Sequence, residues 1–112
     1  MSRASTARSV VASANVFAAL GDATRLELVS RLSDGRRHSI AQLAEGLDMT
    51  RQGVTKHLRT LERAGVVSRK RSGRESHFSI RPESIRRARD YLARASAQWD
   101  EAIERLRAVV EE

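Results

Sequence analysis

Between Met49 and Gly65 the chain places side chains that can recognise a polyanion on one side of a helix-period stretch. Gln52, Lys56, Arg59 and Arg63 share that side, and Val54, Leu58 and Leu61, at i, i+4 and i+7, form an apolar stripe opposite. A helix anchored by one face and offering amides and cations on the other suits the major groove of DNA. The Gln52 amide can read adenine, Arg51 and Lys56 can read guanine O6 and N7, and Thr55 can touch a thymine methyl or a phosphate. Arg59 and Arg63, farther along, are placed to meet phosphate. His57 flanks the apolar stripe.

The charge points to the same stretch. From Arg51 to Arg74 there are eight basic residues (Arg51, Lys56, Arg59, Arg63, Arg69, Lys70, Arg71 and Arg74) and one acidic residue, Glu62. That segment carries the whole formal excess of +7, and the remainder nets to zero. A solvated basic surface explains total charge but not its concentration, and the commonest polyanionic partner is nucleic acid. Only Lys56 and Lys70 among the 21 basic residues are lysine, and Arg suits bidentate contacts to phosphate and guanine.

Other chemistries lack their residues. There is no cysteine, hence no disulfide framework and no thiolate chemistry. No His–carboxylate constellation, P-loop or Gly-rich phosphate cradle is present, so an enzyme is not expected and no cofactor is implied. His38 and His77 have no evident ligand partners, and Asp100 and Glu104 read as a solvated acidic face rather than a metal site. No apolar run approaches the ~20 residues of a membrane span, and the N-terminus is not a secretory signal. A soluble cytoplasmic protein with no membrane partner is the expectation.

The stretch carries its own boundary signals. Thr50 is placed as an N-cap, Met49 and Val54 as a hydrophobic staple, and Gly65 as the left-handed residue that closes a helix. Residues 1–8 are small and polar and are expected to be flexible, leaving one domain over 9–112. A first helix is expected from Ser9 to Leu20, with Val10, Ala14, Phe17 and Ala18 on its inner side. Asp22 caps a second, Ala23 to Ser33, with Leu26, Val29 and Leu32 inward and Leu28 on the flank. Arg36-Arg37-His38 reads as a basic loop. Ser39 and Gln42 then form a capping box that opens a short helix with Ile40, Leu43, Ala44 and Leu47 as its inner face. A short helix, a tight turn and a longer polar-faced helix make a helix-turn-helix.

After Gly65 the period changes from 3.6 to 2. Residues 66–71 and 76–80 alternate as strands around a Gly73-containing turn, a hairpin with a basic tip. Val67, Phe78 and Ile80 are expected to face the core, and Arg69, Arg71 and Arg74 to face out toward phosphates or a minor groove. Directly after a recognition helix such a hairpin is a wing, and His57 has two open roles: packing against it or donating to a phosphate. From Pro82 to Glu112 nothing breaks a helical pattern of about 30 residues, some 45 Å long at ~1.5 Å per residue. Its apolar seam, including Ile85, Leu92, Ala95, Trp99, Ile103 and Leu106, needs a second surface, so a homodimer through this helix is expected. The fold class is mainly α with a small β-hairpin: a winged helix-turn-helix with a long C-terminal dimerisation helix.

Several ordered motifs carry a family resemblance. Residues 18–26, Ala-Ala-Leu-Gly-Asp-Ala-Thr-Arg-Leu, resemble the "ALGDPTRL" opening of ArsR-type winged-helix regulators. Gln42-Leu43-Ala44, residues 50–58 and residues 61–67 look like that family's recognition-helix signature, and Gly73-Arg74 resembles its wing turn. The resemblance covers about residues 15–100 and implies a homodimeric, sequence-specific binder of double-stranded DNA, usually a repressor. By resemblance Arg51, Gln52, Thr55, Lys56, His57 and Arg59 contact DNA. Metal-sensing members carry a Cys-x-Cys box before the recognition helix, where this chain has Ile40-Ala41-Gln42-Leu43-Ala44-Glu45. The C-terminal helix also lacks His, so the metal-sensing role is not carried over and the inducer is unknown.

Overall fold

The computed structural model describes residues 3–111, with side chains from residue 7 onward. Met1 and Ser2, part of the segment expected to be flexible, lie outside the described residues. Five helices and three short strands follow in the order α1 (Arg3–Leu20), α2 (Ala23–Arg31), β1 (His38–Ser39), α3 (Ile40–Ala44), α4 (Arg51–Arg63), β2 (Val67–Ser72), β3 (Glu75–Ile80) and α5 (Pro82–Glu111). Helix α1 begins at Arg3 rather than Ser9. Ala4, Ala7 and Arg8 favour helix, and no Gly or Pro precedes Gly21. The second helix tightens into a 3-10 turn over Leu32–Asp34 and stops at Gly35.

The core lies where α1, α2, α3 and α4 meet the sheet. Leu28, Leu32, Leu43, Val54, Leu58, Leu61, Val66, Val67 and Phe78 are buried there. The inner faces of the first two helices are rotated from expectation. Ser13, Val16 and Ala19 are the buried positions of α1, whereas Val10, Ala14 and Ala18 are exposed and Phe17 is half-buried. Apolar residues lie nearly all round that helix, so its own periodicity does not choose a face; its neighbours α2, α4 and α5 do. The buried pair here is Leu28 of α2 and Leu32 of the 3-10 turn that extends it, four apart, and Leu26 is 52% exposed. Leu26 and Leu28, two apart at about 100° per residue, cannot share a face, and the core takes the one in line with Leu32.

Sequence reading missed one strand. The sheet has three strands in the order β1-β3-β2, all antiparallel. His38 and Ser39, expected as the end of a loop and an N-cap, pair with Phe78 and His77. Two residues show no alternation, and β1 exists because β3 offers it an open edge. Ser39 is still the N-cap of α3: it accepts from Gln42 N at 3.2 Å while its own N–H donates to Gln42 Oε1 at 2.9 Å.

Helix α5 runs past the rest of the domain. The radius of gyration is 18.0 Å and the longest extent 65 Å, against about 13 Å expected for a compact chain of this size. Ala88 is buried and Ile85 packs on the core, while farther along Tyr91 meets Phe17 of α1 with ring centroids 5.7 Å apart. The rotated face of α2 is testable by urea unfolding. Leu28→Ala is expected to cost about 2–5 kcal/mol, and Leu26→Ala no more than about 0.5 kcal/mol. Comparable losses would refute the assignment.

Candidate nucleic-acid interface

Helix α4 is fixed at its start by a side-chain cap and at its end by backbone geometry. Thr50 Oγ1 accepts from Gly53 N at 3.0 Å, which satisfies one free donor of the first turn. At the other end Gly65 has φ +79°, its N–H donates to Glu62 O at 3.0 Å, and Val66 N–H donates to Leu61 O at 2.9 Å. This is the Schellman pattern, and its apolar partners Leu61 and Val66 are both buried. Along the helix Val54, Leu58 and Leu61 are buried, and Arg51, Gln52, Lys56, Arg59 and Arg63 are exposed. Thr55 Oγ1 donates to Arg51 O at 2.8 Å, leaving its methyl and oxygen lone pairs for a ligand.

The preceding helix is held by a contact that sequence reading did not anticipate. Arg31 of α2 donates through Nη1 to Leu43 O at 3.0 Å and also to Glu45 O, satisfying carbonyls at the end of α3. It forms an ion pair with Glu27 at 3.1 Å on its own helix. An Arg at a helix C-terminus is a common capping signal, but here it caps a different helix, which sequence distance hides.

Gly73 has φ +62° and Arg74 does not share a positive φ, the sign pattern of a type II′ hairpin turn. Arg69, Arg71 and Arg74 are exposed, but the first two do not stand on the sheet face opposite the core. Cross-strand pairs Val67–Ile80, Arg69–Phe78 and Arg71–Ser76 share one sheet face by the two-residue period. Arg69 and Arg71 therefore continue the core-side face beyond the edge of the core, and Arg69 Nε lies 3.4 Å from Glu62 Oε2 of α4. Lys70 stands on the other face.

An open cleft of about 300 Å³ lies between the start of α3, the first turns of α4 and the wing tip. It brings together Arg51, Gln52, Thr55 and Arg74. Lys56 and Arg59 are exposed on α4 but do not line it, and Arg69 and Arg71 lie along the wing.

His57 is placed elsewhere. It sits half-buried against the start of α2, where Arg25 Nη1 donates to its Nδ1 at 3.2 Å and Asp22 Oδ2 lies 3.8 Å away. Arg25 also donates through Nε to Ala19 O, and Asp22 caps α2 by accepting from Arg25 N at 3.0 Å. The Arg25 N–H holds the Asp22 carboxyl below its usual value, burial opposes this, and the neighbouring Arg25 charge assists it. Folding lowers this pKa, so the contribution is present above the ordinary carboxylate value of about 3.9 and is lost as pH falls through the folded value. Neither of the two roles open for His57 is this one. His38 pairs with Asp34 at 2.8 Å and His77 with Glu75 at 3.1 Å. Among the described residues no three His, Cys, Asp or Glu side chains cluster to hold a metal.

Of the residues expected at a dimer interface, Ile85 packs on its own core instead, because the first turns of α5 lie over the domain. Ala95 is half-buried, and Leu92, Trp99, Ile103 and Leu106 are 50–67% exposed. Val10 and Val11 of α1 are also exposed.

A short helix, a turn, a cation-faced helix seated on the core and a basic hairpin beside it define a winged helix-turn-helix DNA-binding domain. Residues 20–69 match the model of a helix-turn-helix domain family. The chain is 38% identical over 65 residues to the uncharacterised HTH-type transcriptional regulator YuzN of Bacillus subtilis (strain 168), covering 53% of this chain and 71% of that protein. An ArsR-like transcriptional regulator from Rhodococcus sp. RHA1 superposes with a TM-score of 0.73 at 31% identity, over 89% of this chain and 93% of that one. The homodimeric winged helix-turn-helix DNA-binding domain Mb0332 of Mycobacterium bovis, a possible ArsR-family regulator, shares the fold at 22% identity with a TM-score of 0.66, over 86% and 88% of the two chains. The chain belongs to the ArsR family of winged helix-turn-helix transcriptional regulators. No helix among the described residues is long and apolar enough to cross a membrane.

The position of His57 separates two effects of mutation. Arg59→Ala is expected to lower the dependence of log K on log salt by about 0.9, as one phosphate contact is lost. His57→Ala is expected to weaken folding while leaving that slope intact. A lowered slope for His57→Ala, measured by fluorescence anisotropy, would place its ring on DNA.

Proposed function

We propose that this regulator is a homodimeric repressor acting in the cytoplasm on an inverted-repeat operator. The observation that carries the DNA contacts is the convergence of Arg51, Gln52, Thr55 and Arg74 on one cleft beside the exposed ridge of Lys56, Arg59 and Arg63. Gln52 reads adenine and Arg51 reads guanine from the first turn, while Lys56 reads a base edge or holds phosphate. Arg59, Arg71 and Arg74 meet phosphates, and Arg74 also reaches a minor groove. Arg69 is partly neutralised by Glu62 and serves chiefly to hold the wing. His57 supports the helix rather than touching DNA.

The exposed face of α5 supports pairing. Leu92, Trp99, Ile103 and Leu106 lie at heptad-like spacing on a helix that runs past its own domain, and Trp99 is 67% exposed. A second copy covers this face, with Val10 and Val11 of α1 at its margin. Two-fold pairing sets two α4 helices about 34–36 Å apart, one turn of DNA. A dimer seated on an operator overlapping a promoter excludes polymerase, which is the simplest output for these elements.

Binding of the wild-type chain to duplex from upstream of its own gene, against random duplex over a salt series, tests the reading. Equal affinity for both would make it a nonspecific binder, and no affinity for either a protein–protein module. Gln52→Ala is expected to lose about 1–3 kcal/mol on the cognate site and to relax preference at one base pair, whereas Arg71→Ala weakens all sequences alike and flattens the salt slope by about one unit. Trp99→Ala is expected to shift sedimentation toward the monomer, and an unchanged dimer would remove α5 as the interface.

A further inference from the structure

A groove of about 290 Å³ opens between the end of α2, the end of β3 and the root of α5. Val29, Leu32, Ile80, Pro82 and Ile85 give it an apolar wall, and all but Pro82 belong to the core or pack on it. Ile85 is also where the apolar stripe of α5 begins. Leu92, Trp99 and Leu106 follow it at seven-residue intervals, with Ser96, Ile103 and Val110 beside them on the same face. The groove therefore lies at one end of the stripe. At the other end Leu106, Val109 and Val110 are 65–83% exposed. Within one chain the two ends cannot meet: Pro82 and Val110 stand about 42 Å apart along unbroken helix, at ~1.5 Å per residue.

The charge along α5 decides which way a second copy runs. Residues 86–94 hold Arg86, Arg87, Arg89 and Arg94 against Asp90, four cations less one anion, a net of +3. Residues 100–104 hold Asp100, Glu101 and Glu104 with no cation, a net of −3. A parallel copy sets like against like. An antiparallel copy sets each block against its opposite, and such complementarity fixes orientation and register more than affinity. Two-fold pairing makes the match reciprocal. Placing the centre of the basic block, Asp90, opposite the centre of the acidic one, Ala102, puts the axis at Ser96. Ala93, Ala95, Ser96 and Ala97 are all small, which lets two helices approach at the short end of the usual spacing of about 8–10 Å. In that register Leu106 faces Arg86 and Val110 faces Pro82, at the mouth of the groove.

We propose that the groove of each copy receives the last apolar turn of α5, Val109 and Val110, from a second copy running antiparallel. The proposal rests on the pairing reading and deepens it, since it names what each end of the helix meets. Leu32 and Ile80 stand where the chain leaves toward β1 and returns from β3. A turn docked between them braces the reading unit of one copy with the helix of the other. The spacing of the two α4 helices is then set at both ends of the α5 pair rather than at its crossing alone.

The chain has no cysteine, so disulfide trapping in the full-length protein reads this geometry directly. Ser33→Cys or Pro82→Cys is combined with Val109→Cys or Val110→Cys, four double variants in all, because a disulfide needs Cα atoms within about 7 Å. All four positions are exposed, and Ser33 lines the same groove as Pro82, so a bond formed in any double variant joins two copies. Mild oxidation is expected to turn most of at least one double variant into a covalent dimer on a denaturing, non-reducing gel, while Val109→Cys and Val110→Cys alone stay unlinked. Val110→Asp, at a site that is 83% exposed, is expected to raise the dimer dissociation constant at least tenfold in sedimentation. Cross-linking through Val110→Cys alone means parallel copies and overturns the proposal. Double variants that stay unlinked while sedimenting as dimers also overturn it, and leave the groove to another occupant such as a compact apolar molecule. A wild-type chain that sediments as a monomer instead overturns the pairing reading itself, so the two failures are distinguishable.

Discussion

The rotational setting of α4 is the constraint on which the rest depends. Val54, Leu58 and Leu61 are buried, and Gln52, Lys56, Arg59 and Arg63 centre on the opposite side. At about 100° per residue, a slip of one or two residues would drive charged side chains toward the core. Burying an unpaired ion costs several kcal/mol, and each buried aliphatic lost costs about 2–5 kcal/mol more. The core therefore dictates which side chains face outward. The Schellman closure carries that setting forward, since Val66 and Val67 enter the same core immediately after the helix ends. The wing leaves from a fixed point in a fixed direction.

What was legible in the sequence was local. The α4 stripe, its Thr50 cap, its Gly65 closure, the Ser39–Gln42 box and the Gly73 turn each depend on residues within a few positions of one another. The features that escaped depend on distant partners. Strand β1 needs the free edge of β3, and the end of α3 needs Arg31 from α2. The faces of α1 and α2 are chosen by neighbours rather than by their own periodicity. The directions of Arg69 and Arg71 were recoverable, because the two-residue period that places Val67 inward also places them on its face. His57 was harder: its position in the recognition stretch suggests DNA, and only the fold brings Asp22 and Arg25 to it.

That small cluster gives the opening motif of the resemblance a physical role. Gly21 ends α1 and Asp22 caps α2. Arg25 returns to bond Ala19 O and reaches across to His57. One short stretch thus fixes the angle between two helices and ties both to α4. The bonds are partly exposed and each contributes modestly, but they restrain orientation, which the nondirectional burial of Leu28 and Leu58 does less sharply.

Glu62 is the one acidic residue among the cations from Arg51 to Arg74, and its position explains its presence. In a stretch built for a polyanion a carboxylate repels the ligand, so it needs a structural return. It lies 3.4 Å from Arg69, with both side chains partly exposed, and pairs of this sort contribute at most about 1 kcal/mol. Stability is thus too small a return; orientation is the larger one, because the pair bridges the side of α4 to the base of the wing. The wing's cations then divide by position. Arg69 is tied at the base, while among the described residues Arg71 bonds its own turn at Gly73 and Arg74 lies at the tip, lining the same cleft as Gln52. The base of the wing is tied to the helix through Arg69 and Glu62, and the tip is set by its own turn. A helix fixed at both ends suits the reading of base edges, where misplacement is costly, and cations at the wing tip suit phosphates, whose attraction acts over a Debye length of about 8 Å at physiological salt.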